Sequence, residues 1–148
     1  MDSSGKPPAD RNGLEILSDR QCWSLLDATP IGRLAFVHEG EAKVLPVNYA
    51  VVDHQIAFRT GRGAKFGVAS MERPVSFEVD QWDDIGRTGW SVLIEGMITM
   101  VTDDDDEDRL NQIGLHPWAP NSNDPVWVRL RPTNISGRRI PKSTPRPL

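Results

Sequence analysis

The segment 58–65, FRTGRGAK, contains the densest group of side chains that could bind an anion. Arg59 can hold two phosphate oxygens with its planar, forked guanidinium, Lys65 can add a point charge, and Thr60 can add a hydroxyl. The two glycines allow close approach of the backbone, and a helix predicted to begin near residue 64 would offer unpaired N–H groups. This combination is typical of a phosphate site, although its spacing is not that of a Walker loop. The alternative is a solvated basic turn ahead of a helix.

Two further groups of residues could carry chemistry, the acidic run 103–107 and the tripeptide His116-Pro117-Trp118. The carboxylates could bind a divalent cation, but we interpret them as the first turn of a helix from 103 to about 114, where they favour the free N–H groups. His116 could line the mouth of a ligand site or ligate haem. Because no second ligand accompanies it, we interpret it as a loop histidine and predict no metal site.

The overall composition limits the classes of partner. The chain of 148 residues has 17 Lys and Arg against 21 Asp and Glu, a formal net charge of −4, so it has no general basic field for nucleic acid. Cys22 is the single cysteine, which excludes an internal disulfide and favours a reducing compartment. No stretch approaches the roughly 20 apolar residues that cross a bilayer, and MDSSGKPPAD lacks the apolar core of a secretion signal. We therefore expect a cytoplasmic protein without a membrane partner.

The elements that must position the candidate phosphate site form one predicted domain, residues 14–140, between tails expected to be flexible at 1–13 and 141–148. Ser18 as N-cap, with Gln21 three residues later, predicts a helix over about 19–28. Cys22 falls on the apolar face of this helix, so we interpret it as a core residue. A second short helix is expected over about 64–71.

The remainder of the domain predicts short antiparallel strands. These strands are IGRLAFVH (31–38), AKVLPVNYAVV (42–52), QIAFRT (55–60), PVSFEVD (74–80), WSVLIEGMITMV (90–101), VWVRLRP (126–132) and TNISGRRI (133–140). Pro46 lacks the N–H that a ladder needs, so its strand is expected to have an edge or a bulge there. Six or seven strands at these spacings, with two or three short helices, predict a mainly β protein with a closed or partly closed small barrel.

The order of several motifs resembles that of the pyridoxamine 5'-phosphate oxidase-like flavoproteins over about residues 15–140. The motifs are LSDRQCWSLLDATPIGRLAF, VLPVNYAV, IAFRTGRGAKF, PVSFEVD, GWSVLIEGMITMV and WVRLRPTNISGRRI. The resemblance implies an FMN-binding split barrel that forms a homodimer, with FMN at the interface between the subunits.

The resemblance also implies which residues contact the cofactor. The strand around Val47 and Asn48 would lie beside the flavin ring, the segment from Phe58 to Lys65 would hold the ribityl phosphate, and Trp90 and Ser91 would approach from the neighbouring part of the site. The full predicted set of cofactor-binding residues is Val47, Asn48, Phe58, Arg59, Thr60, Gly63, Ala64, Lys65, Trp90 and Ser91.

One departure from the founding enzyme of the family bears on activity. Arg138-Arg139-Ile140 stands where that enzyme has an Arg-x-His pair that helps to hold pyridoxamine phosphate, which argues against vitamin B6 oxidation. The resemblance then implies an FMN-dependent oxidoreductase that acts on another small molecule, with redox chemistry supplied by the cofactor and no predicted catalytic side chain. The alternatives are a reductase that uses the deazaflavin F420 and a non-enzymatic protein that stores or senses a flavin or haem.

Overall fold

Short β-rich runs separated by turn residues build most of this protein. The computed structural model describes residues 5–61, 73–122 and 124–142. Its elements are β1 (Glu15–Ile16), α1 (Asp19–Asp27), β2 (Ile31–His38), β3 (Glu41–Asn48), β4 (Ala50–Val52), β5 (Gln55–Gly61), β6 (Arg73–Asp83), β7 (Thr88–Met100), α2 (Asp104–Asn111) and β8 (Pro125–Arg139). None of the helices in these described ranges is long and apolar enough to cross a membrane.

The strands form one antiparallel sheet in the order β3-β2-β6-β7-β8-β5-β4, and β1 pairs with the end of β8. The sheet is curled, and alternate side chains point into a single core on its concave face. The largest fully buried members of that core are Phe58, Phe77, Leu26, Leu34, Ile56, Ile94, Ile98 and Leu130. The architecture confirms the predicted mainly β split barrel.

Two glycines allow close contacts within the sheet. A Cβ atom on Gly32 would overlap the buried ring of Phe77, so only glycine leaves room for that ring. Gly96 lies at the register shift between β7 and β8, where a Cβ atom would overlap the carbonyl of Arg131. The register shift leaves Thr133 of β8 without a paired residue on β7, and such an insertion commonly bends the strand that carries it.

Helix α1 closes one end of the barrel and begins as predicted. Ser18 Oγ accepts a hydrogen bond from the Gln21 N–H (3.2 Å), and Gln21 Oε1 accepts one from the Ser18 N–H (2.8 Å), which completes a capping box. Cys22 and Leu26 are fully buried against the sheet. Cys22 is therefore a core side chain, as the sequence pattern indicated, and its burial raises the pKa of the thiol.

Three predicted boundaries were wrong. The two strands predicted over 126–140 form one strand, β8 (Pro125–Arg139). The run 42–52 is divided at Tyr49, because its N–H bonds to the Pro30 carbonyl (3.3 Å) and its hydroxyl donates to the Leu26 carbonyl (2.6 Å). Residues 81–89, which lie between the predicted strands 74–80 and 90–101, are largely paired strand, since β6 continues to Asp83 and β7 begins at Thr88. The helix expected over 64–71 lies outside the described residues.

Candidate functional site

Arg59 lies near the end of β5, on the convex face of the sheet. Its neighbour Phe58 points into the core and is fully buried, whereas Ala57 and Arg59 point toward the side covered by α2. The Arg59 guanidinium carbon lies 5.4 Å from the centre of the Trp127 ring, a cation–π contact. Arg59 Nε is buried and has no hydrogen-bond partner among the described residues. The structure therefore holds a cation here and leaves one of its donors unsatisfied.

Trp127 is fixed by α2. Its Nε1 donates a 2.7 Å hydrogen bond to Asn111 Oδ1, and its ring packs with Ala57 and Leu110 in a small apolar cluster. Trp127 is only 2% exposed, and the Arg59 guanidinium lies over this buried ring. Trp127 is not among the site residues predicted from the sequence. Val126 and Val128 point into the core, so the alternation of side chains places Trp127 on the opposite face of β8. This alternation was the sequence signal that could have identified Trp127.

Asn48 lies at the same end of the barrel as Arg59. Ala50 pairs with Ala57 in the antiparallel register of β4 and β5, so the chain just before β4 runs beside Phe58 and Arg59. The Asn48 side-chain amide donates to the His116 carbonyl oxygen (3.3 Å), which ties the end of β3 to the loop after α2. The contact of His116 with this region is thus made by its backbone.

Val47 and Thr60 are placed differently from their neighbours in the predicted set. The Val47 side chain is buried in the core, and its backbone pairs with Gly32. Thr60 is half-buried and lies on the face of β5 opposite to Arg59, because successive side chains of a strand alternate. Gly63, Ala64 and Lys65 lie outside the described residues.

Trp90 and Ser91 form a second group at the far end of β7. Trp90 pairs with Arg139, whereas Met100 at the other end of the same strand pairs with Val128, the partner of Phe58. Ten residues of strand at about 3.3 Å each separate the two ends by up to about 33 Å along β7. One chain therefore brings Asn48 and Arg59 together, but not with Trp90 and Ser91.

The second group is bordered by Arg138, which is engaged by the N-terminal segment. Asp10 Oδ2 accepts from Arg138 Nε at 3.1 Å, while Asp10 Oδ1 accepts from the N–H groups of Leu14 (3.0 Å) and Asn12 (2.9 Å). The pKa of Asp10 is lowered, chiefly by the hydrogen bond from the Leu14 backbone and further by Arg138. Arg138 thus has an ionised partner within its own chain.

The acidic run forms the start of α2. Asp103 is the N-cap, and its Oδ2 accepts from the Asp106 N–H at 3.0 Å. Asp106 also bonds to Arg109 and lies 3.7 Å from Arg129. No group of three or more His, Cys, Asp or Glu side chains within the described ranges could hold a metal ion.

A sequence model of the pyridoxamine 5'-phosphate oxidase family matches residues 18–139, nearly the whole of the described barrel. The chain belongs to this family. The family assignment agrees with the resemblance inferred from the order of the motifs.

Members and structural relatives of the pyridoxamine 5'-phosphate oxidase family come from several bacteria. An uncharacterized protein of Mycobacterium tuberculosis, Rv0080, is 34% identical over 139 residues, which is 90% of each chain. The FAD-binding protein of Mycobacterium smegmatis is 35% identical, with a TM-score of 0.72, over 84% of this chain and 98% of that one. A FAD-binding protein of Mesorhizobium loti is 26% identical, with a TM-score of 0.67, over 85% of this chain and 96% of that one.

Proposed function

We propose that this protein is a flavin-dependent oxidoreductase that binds FMN, or the FMN half of FAD, and acts on an unidentified small molecule. The observation that carries the proposal is Arg59, a half-buried cation held on Trp127 at the start of the glycine-rich basic sequence 59–65. The FAD-binding relatives from Mycobacterium smegmatis and Mesorhizobium loti, at 35% and 26% identity, support a flavin as the ligand.

The residues around Arg59 fit a phosphate group. A buried donor without a partner costs about 1–3 kcal/mol, and Arg59 Nε is such a donor. A phosphate oxygen would satisfy it and would be stabilised by the positive charge. FMN and FAD share this phosphate, so the fit supports both flavins equally.

The protein's own residues would bind and orient the cofactor. Arg59 would hold the phosphate together with Lys65, and Trp127 restricts the motion of the Arg59 guanidinium. The Asn48 amide, at the end of β3, would meet polar atoms of the ring system. A bound flavin supplies hydride and single-electron transfer, so the chain need not provide an acid–base pair.

We further propose that the working form is a homodimer. The two groups of predicted site residues lie at opposite ends of β7 in one chain, and a two-fold dimer can bring one group of each chain beside the other group of its partner. The convex face of the sheet also carries exposed apolar side chains that a second copy would cover, namely Ile31, Val37, Val44 and Leu93.

The test of the proposed function starts with the purified protein. Its absorption spectrum and the mass of any released ligand distinguish FMN, FAD, the deazaflavin F420 and haem. We expect a flavin absorption band, or saturable binding of added FMN or FAD. Failure to bind either flavin would overturn the proposal.

Turnover is tested separately from binding. Anaerobic reduction by NADH or NADPH, followed by reoxidation in air, should show repeated cycles if the protein is an oxidoreductase. Tight flavin binding without reduction by any donor would instead indicate a storage or sensor protein.

A further inference from the structure

A cavity of about 280 Å³ lies between the hairpin of β6 and β7 and the N-terminal segment. Two tryptophans, Trp82 and Trp90, line it together with Leu14 and Ile140. Its volume is near the lower end of the range for small-molecule pockets, which suits a compound of one or two fused rings.

Gly89 shapes this cavity. It pairs with Trp82 across the hairpin, and a Cβ atom there would lie only 3.0 Å from Trp82 Cε3. The indole of Trp82 therefore lies close against the strand at a position without a side chain. Trp82 is nevertheless 57% exposed, so much of its surface remains available to a flat ligand.

The charged side chains of the cavity are already paired. Among the described residues that line it, Asp80 and Arg138 are the charged ones. Asp80 Oδ2 lies 2.9 Å from Arg33, and Arg138 Nε lies 3.1 Å from Asp10. An anion placed beside Arg138 would also meet the Asp10 carboxylate, which a turn holds in place. Ser91 and Gln81 add an uncharged hydroxyl and an uncharged amide to the lining.

We propose that this cavity binds the planar, uncharged aromatic ring system of the substrate and disfavours anions, because Asp10 neutralises Arg138. The proposal rests on the proposed function only in calling the bound compound a substrate; binding itself needs no turnover.

Two matched probes test the charge preference. 2-Naphthol and 2-naphthoate share one ring system, and at pH 7 the first is neutral and the second is an anion. The full-length protein, with its flavin content measured beforehand by absorbance, is titrated with each compound by ligand-observed NMR. We expect 2-naphthol to bind at least about tenfold more tightly, since an unfavourably placed charge costs on the order of 1.4 kcal/mol or more. Equal affinity, tighter binding of 2-naphthoate, or no binding of either compound would overturn the proposal.

Variants then assign the effect to residues. Asp10→Asn keeps an oxygen for the turn but removes the charge, so 2-naphthoate should gain about tenfold, and adding Arg138→Gln should abolish that gain. Asp53→Asn, an exposed change of the same charge, should leave both affinities unchanged.

Should the Asp10 variant fail to fold, Trp82→Ala still decides, with Ile85→Ala on the same hairpin as its control. We expect 2-naphthol to bind about twofold to tenfold more weakly to Trp82→Ala, and an unchanged affinity would contradict the cavity as the site.

The flavin measurement keeps the two proposals separate. A protein that holds a flavin but shows no preference for 2-naphthol would refute the cavity assignment alone. A protein that prefers 2-naphthol but binds no flavin would refute the proposed function and leave the ligand site standing.

Discussion

Arg59 is positioned by residues that are distant in sequence. Its partner ring belongs to Trp127 of β8, and that ring is oriented by Asn111 of α2. A guanidinium that lies on an aromatic ring stays charged, and its N–H donors remain directed to one side. This arrangement suits the recognition of a phosphate group. Its role can be tested by removing the charge and by removing the phosphate of the ligand.

Arg59→Ala should weaken FMN binding by about tenfold to a hundredfold, because a charged hydrogen bond contributes about 1.5–3 kcal/mol. Riboflavin, which has no phosphate, should be affected by less than about threefold. Lys65→Ala is expected to behave in the same way. Fluorescence titration of both ligands checks this, with Arg131→Ala, an exposed arginine on β8, as the control. Equal losses for FMN and riboflavin would place Arg59 away from the phosphate.

Glu78 predicts a pH dependence of stability. Its pKa is raised to about 7 by burial first, then by the neighbouring Asp80 carboxylate, against the opposing effect of Arg33. Between pH 4.5 and about 7 the folded protein keeps a proton that the unfolded chain has released, so Glu78 stabilises the fold below this window and that contribution is lost as pH rises through it. The side chain is 37% exposed, so solvent screening reduces the effect to about 1 kcal/mol.

Glu78→Gln should remove this part of the pH profile and make the protein more stable than the parent at pH 8. Urea unfolding at several pH values from 4.5 to 8 measures it. Glu95→Gln, on the neighbouring strand, is the control. Parallel profiles for the parent and Glu78→Gln would contradict the assignment of the titration to Glu78.

Side chains with strong local preferences were predictable from sequence, whereas those defined by tertiary partners were not. Ser18 and Gln21 form the expected capping box, because both partners lie within one turn. Cys22 is buried as expected. Trp127 was missed as a support for Arg59, because their contact depends on the pairing of β5 with β8, which spacing along the chain does not reveal.

Helix α2 connects the acidic run to the candidate site. Its first turn carries Asp104, Asp105, Asp106 and Glu107, and its only buried residue, Leu110, packs on Trp127. The helix therefore depends on capping and charge more than on burial, since a single apolar anchor provides little hydrophobic stabilisation.

Changing Asp104 and Asp105 together to Asn should lower the free energy of unfolding by no more than about 1–2 kcal/mol, because each such carboxylate contributes about 0.3–1 kcal/mol near a helix N-terminus. Flavin affinity should not change. Thermal and urea unfolding measure the loss, and Asp108→Asn in the following turn is the control. Calcium or magnesium raising the Tm of the parent, but not of the double variant, would show a metal site instead.

Strand existence was predictable along most of the chain, but strand boundaries were not. Alternation of apolar residues marks β2 and β7 clearly, with Leu34 and Ile94 on the core side. Pro132 and Thr133 suggested a break, yet the register shift beside Gly96 absorbs the irregularity and β8 continues. A bulge depends on the partner strand, so one strand's sequence cannot specify it.

At the scale of the whole molecule, the proposed flavin site would need residues from two chains, so the oligomeric state tests it. We expect a stable homodimer at micromolar concentration, with flavin affinity coupled to dimerisation because each cofactor would contact both subunits. Val44→Lys and Leu93→Lys, on the exposed apolar face, should shift the equilibrium to monomer and weaken flavin binding together. Ile85→Lys, at the tip of the β6–β7 hairpin, serves as the control.

Size-exclusion chromatography with light scattering checks this expectation alongside flavin titration. A parent protein that is monomeric and still binds flavin tightly would rule out a site shared between two chains.

Strand β8 also constrains the order in which this protein can fold. It is the last strand in the described part of the chain, and it pairs with β1, β5 and β7, so that Glu15 meets Arg139 across nearly the whole length of the domain. While the ribosome is still making residues before 125, β5 and β7 each have an edge without this partner, and such edges can pair with other chains. Because contacts so distant in sequence form slowly, a nascent chain of this protein should depend on chaperones until β8 emerges.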